Sequence, residues 1–73
     1  MTTSPVEQQL NAYRLYADSA DEARRVAARL ELHGDEIAAA RVTLLAEADD
    51  RSARHALQRA AELAGTPEEA SAR

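Results

Sequence analysis

Ala17-Asp18-Ser19-Ala20-Asp21-Glu22 decides how many helices this chain contains. Ser19 with Glu22 three positions on spells a capping box, in which the hydroxyl accepts from a free N–H of a first helical turn and the carboxylate reaches back to the cap residue. Asp18 and Asp21 add to the case for a break, because short polar side chains compete for backbone hydrogen bonds inside a helix. Against it stands the apolar spacing. Val6, Leu10, Tyr13, Ala17, Ala20, Ala23, Ala27 and Leu30 recur at intervals of three and four, run straight through Ser19, and meet neither Gly nor Pro. The residues therefore leave two readings open, a pair of helices at about 5–17 and 20–33 or one continuous bent helix, and the capping residues tip the balance slightly towards the pair.

The same grammar recurs on both sides. Ser4-Pro5-Val6-Glu7 opens the first helix with Pro at the first helical position. Gly34 ends the helical stretch, since the residue after a last turn is commonly a left-handed glycine, and Asp35 caps the helix after it. That helix is expected over about 36–48 with Ile37, Ala40, Leu44, Leu45 and Ala48 as its buried stripe and Val42 off it. Asp49-Asp50 then proposes another break. A last helix over about 51–64 would bury Ala53, Ala56, Leu57, Ala60 and Ala64, with Leu63 beside them, and Gly65 closes it. Thr66-Pro67-Glu68-Glu69 is a third capping box, but 66–73 has no large apolar residue and is expected to be a frayed or disordered tail. No alternating strand pattern occurs. The expected fold is all-α, one domain over 1–65, a small Ala-rich bundle of three to four helices.

Composition limits what such a bundle can do. Of 73 residues, 45% are hydrophobic, yet there is no Phe or Trp and only two Tyr, and alanine makes up most of the remainder. A core of this size and content supplies at most about 3–5 kcal/mol. No Cys is available for a disulfide or thiolate site, so further stability must come from helix propensity, caps or association. All nine basic residues are Arg; with the alanine excess this is the mark of GC-rich coding and suggests a bacterial protein. Net charge is −4 with both signs interleaved, which disfavours nonspecific nucleic-acid binding. The absence of a long apolar run or a signal-like start makes a cytoplasmic, membrane-free protein the expectation.

Chemistry-bearing constellations are sparse. His33-Gly34-Asp35-Glu36 gathers an imidazole and two carboxylates at a helix joint, but these residues also suit the dipoles of the two helix ends, and His55 is the only other imidazole. No phosphate loop, nucleophile elbow or His-Glu-x-x-His occurs. The expectation is a non-enzyme with no cofactor, no metal and no small-molecule substrate. Two surfaces remain as partner-binding candidates. Arg51, Arg54, His55, Gln58 and Arg59 form a ridge opposite the Ala-Leu stripe, suited to carboxylate or phosphate. Tyr13, Leu15, Tyr16, Leu32 and Val42 supply apolar and amphipathic bulk for an interface. Together they point to a small adaptor or regulator that binds a protein partner or a second copy of itself. The alternative is a nucleic-acid-binding regulator that uses the Arg-rich last helix of a dimer.

Overall fold

The computed structural model describes residues 3–65. It contains two helices, α1 (Pro5–Leu32) and α2 (Glu36–Ala64), packed against each other as a hairpin. Neither expected internal break exists, so the bundle of three to four helices is corrected to two long ones. At a rise of about 1.5 Å per residue each helix is roughly 43 Å long. Among the described residues there is no strand, and the third capping box lies outside them.

The termini obey their sequence signals. Glu7 N–H donates to Ser4 Oγ at 3.1 Å, with Pro5 at the start of α1. At the joint, Gly34 N–H donates to Glu31 O at 3.0 Å and Asp35 N–H to Leu30 O at 2.9 Å. These are the two bonds of a Schellman motif, and Gly34 takes the left-handed φ of 81° that the motif requires. Asp35 Oδ1 then accepts from Ala38 N–H at 3.1 Å. Three residues thus close one helix and open the next.

Three of the polar residues at the interior breaks, Ser19, Asp49 and Asp50, have partners on the other helix. Ser19 Oγ donates to Asp49 Oδ2 at 2.6 Å. Arg24 pairs with Asp50 through its guanidinium. Glu22, which would have completed the capping box, pairs instead with Arg25 at 2.9 Å. With these side chains occupied across and along the hairpin, the strongest competitors for the backbone are removed, and the uninterrupted apolar spacing prevails.

The seam has a seven-residue period. Ala39, Ala46, Ala53 and Ala60 are buried at intervals of seven, interleaved with half-buried Val42, half-buried Asp49, buried Ala56 and half-buried Leu63. On α1, Val6, Gln9, Tyr13, Tyr16, Ala20, Ala23, Ala27 and Leu30 follow the same three-four alternation. This is the repeat of a left-handed two-stranded coil. Every buried side chain among the described residues is alanine, and such small side chains allow backbones to approach closely. The outcome corrects the expected burial in α2. Ile37, Ala40, Leu44 and Leu45 point out of the hairpin, Leu57 and Ala64 are exposed, and Val42 belongs to the seam. Leu10 on α1 is likewise exposed rather than buried.

Candidate interaction surface

The expected partner-binding residues divide by position. Leu15 is 71% exposed near the middle of α1, and Leu32 is 86% exposed at its last position. Tyr13 and Tyr16 are 37% and 41% exposed, because each occupies a seam position with a ring too large to be covered by a facing alanine. Val42, half-buried, is not free surface. Arg51, Arg54, His55, Gln58 and Arg59 are all exposed.

The two groups meet in one place. Gln9, Ala12 and Tyr16 from α1 and Arg51, Ser52, His55 and Ala56 from α2 line an open cleft of about 380 Å³. Its floor is alanine methyls and its walls carry a phenol, an imidazole and a guanidinium. The rest of the ridge is partly neutralised from within α2: Arg59 pairs with Glu62 at 3.6 Å, and Gln58 donates to the same carboxylate at 3.4 Å. Arg54 also faces Asp50, whose pKa is held below the ordinary carboxylate value, first by the hydrogen bond from Arg24 and further by the charges of Arg24 and Arg54.

Sequence reasoning missed an exposed apolar stripe by assigning it to the core. Ile37 is 72% exposed, and Leu44 and Leu45 are 63% exposed. With exposed Ala40 and half-buried Ala48 these residues recur at three, four and seven along the outward side of α2. The signal that separates this stripe from the seam was present: alanine at every seventh position from Ala39 to Ala60 marks the closely packed side of a coiled pair, and the leucines fall on the other.

Among the described residues no three His, Asp or Glu side chains converge as metal ligands would. No helix among them is long and apolar enough to cross a membrane. Fold and surface together define an antiparallel helical hairpin with an alanine seam and an apolar outer stripe. No protein-family model, curated protein or solved structure matches the chain, so what this surface does is argued from its own chemistry.

Proposed function

We propose that the protein is a non-catalytic protein–protein interaction module, an adaptor or regulator that works through its exposed helix faces inside an oligomer or larger complex. One observation carries this reading: the hairpin fully buries only alanines and leaves most of its large apolar side chains exposed. A buried CH₂ contributes about 0.8 kcal/mol, so an alanine seam gains little, while contiguous exposed leucine and isoleucine mark a surface built to be covered. A photo-crosslinking side chain at Leu15, Leu45 or Arg54, introduced one at a time in the native host, tests it. Protein adducts from at least one apolar position are expected. Their complete absence at Leu15 and Leu45 counts against the proposal.

The alternative, a nucleic-acid-binding regulator, draws support from one feature. Asp49 and Asp50 do not head a separate last helix, where they would repel phosphate; they are engaged by Ser19 and Arg24. The Arg51–Arg59 ridge then faces solvent in the middle and end of α2. This reading requires duplex binding that weakens steeply with salt and with Arg54→Ala. No binding at low salt eliminates it.

A further inference from the structure

We infer that the cleft between α1 and α2 docks an acidic peptide, a partner segment in which carboxylates flank one large apolar side chain. This inference rests on the interaction-module reading and names the chemistry of the partner at one site. Every polar side chain around the cleft can donate a hydrogen bond: the Gln9 amide, the Tyr16 phenol, the Arg51 guanidinium, the Ser52 hydroxyl and the His55 imidazole. No Asp or Glu of the described residues lines it. Among those residues neither Arg51 nor His55 forms an ion pair, so both remain open to an acceptor from outside. The contrast is with the second cleft, beside the joint, which is lined by Glu31, Glu36 and Ala40.

The floor decides what accompanies the anion. Ala12 and Ala56 contribute methyl groups, and Tyr16 contributes a ring that the seam leaves exposed, so the base of the cleft suits an apolar side chain. Its volume of about 380 Å³ lies near the small end of the roughly 300–1,000 Å³ typical of ligand sites. That is room for one large side chain and the carboxylate beside it. Tyr and Arg are the residue types that most often anchor such contacts, and the guanidinium fork of Arg51 matches a carboxylate through two parallel bonds.

Charge over the wider surface favours a short acidic segment over a nucleic acid. The open end of the hairpin, 5–16 with 51–64, carries four Arg against two Glu, whereas 17–50 carries four Arg against nine carboxylates. A chain of net charge −4 therefore attracts acid at one end only. The carboxylates nearest Arg51 in sequence do not cancel it: Asp49 and Asp50 are engaged by Ser19 and Arg24, and Glu47, one turn earlier, does not pair with it. A duplex lying along α2 would pass over 17–50, where its phosphates meet an excess of carboxylate. A segment of a few residues seated in the cleft stays on the basic end.

The probe is the peptide Asp-Glu-Phe-Glu-Asp with blocked ends, titrated at near-physiological salt into the full, isotopically labelled chain and followed by amide resonances. Saturable shifts are expected at Ala12, Ser52, His55 and Ala56, half complete at about 1 mM or below. The neutral peptide Asn-Gln-Phe-Gln-Asn produces none of them, and Asp-Glu-Gly-Glu-Asp, which lacks the apolar side chain, binds at least about fivefold more weakly. Arg51→Glu weakens binding at least about tenfold. Arg41→Glu, the same charge change about 15 Å away along α2, leaves it within about twofold. Far-UV circular dichroism checks that both variants keep the hairpin. Absence of shifts up to about 10 mM peptide overturns the proposal, as does equal binding by the neutral peptide or an equal loss in the two variants. Equivalent shifts from inorganic phosphate make the cleft a general anion site and overturn the peptide assignment; tighter binding of a duplex of about 12 base pairs assigns it to nucleic acid instead. Protein adducts at Leu45 with no peptide bound in the cleft leave the interaction-module reading standing and place its partner elsewhere.

Discussion

Ser19 and Asp49 show how a residue's role depends on what lies opposite it. Each reads as a helix cap in sequence, and each instead forms half of a 2.6 Å hydrogen bond between two helix interiors. Asp49 takes a seam position between Ala46 and Ala53, where it is half-buried. The three-residue joint between Leu32 and Glu36 sets the coarse register, and in a seam of uniformly small alanines one polar pair opposes the smaller shifts and rotations that alanine tolerates. Removing only the hydroxyl, by Ser19→Ala, strands a half-buried carboxylate and is expected to cost about 1–2 kcal/mol in chemical denaturation. The double change Ser19→Ala with Asp49→Ala removes both partners. Its stability should recover to within about 1 kcal/mol of the wild type, because replacing both polar groups avoids the unpaired carboxylate, while amide resonances around the seam broaden or multiply. A double variant as sharply resolved as the wild type denies the pair its role in register.

The helices owe their ends to signals legible in sequence and their length to contacts that are not. Pro5 behind Ser4, and Gly34 with Asp35, bound the elements where their local chemistry says they should. Asp18-Ser19 and Asp49-Asp50 offer equally good local chemistry and bound nothing, since the competing partners are about 30 residues away in the chain. A second pair links the helices beside the first: Arg24 on α1 and Asp50 on α2. The hydrogen bond from Arg24 is the main cause of the lowered Asp50 pKa, ahead of desolvation, which opposes it. A carboxylate with a depressed folded pKa contributes stability that is fully present above its unfolded value of about 3.9 and is lost as pH falls through the folded value. Arg24→Gln should therefore lower the urea midpoint near neutrality and leave it close to the wild type near pH 2. Two midpoint curves that remain parallel across that acid range assign the shift to something other than this pair.

At the scale of the molecule, the alanine seam has two consequences. It holds two helices close together, and it leaves the leucines of α2 with nothing to cover them. Single-sequence reasoning places Ile37, Ala40, Leu44 and Leu45 in a core because apolar residues at helical spacing are usually core; here α2 has two such stripes, and only one can face α1. The expected thinness of the core and the expected surplus of apolar surface on Leu15 and Leu32 agree with the structure, whereas Val42 lies in the seam and not on the surface. Because Leu44 is 63% exposed, Leu44→Glu should leave the far-UV helical signal unchanged and the stability in urea within about 0.5 kcal/mol of the wild type, as surface substitutions do. A loss above about 1 kcal/mol would place Leu44 inside the hairpin's core.

The sequence alone determined that this chain is all-helical, where α1 begins, and where the chain turns, because caps, a left-handed glycine and apolar periodicity act within a few residues and are written locally. Only the tertiary structure decided that there are two helices rather than four, and which of two apolar stripes on α2 is inside. Both outcomes depend on pairs such as Ser19 with Asp49 and Arg24 with Asp50, formed between residues distant in sequence, and on a seam whose alanines must meet a facing helix before their small size becomes an advantage.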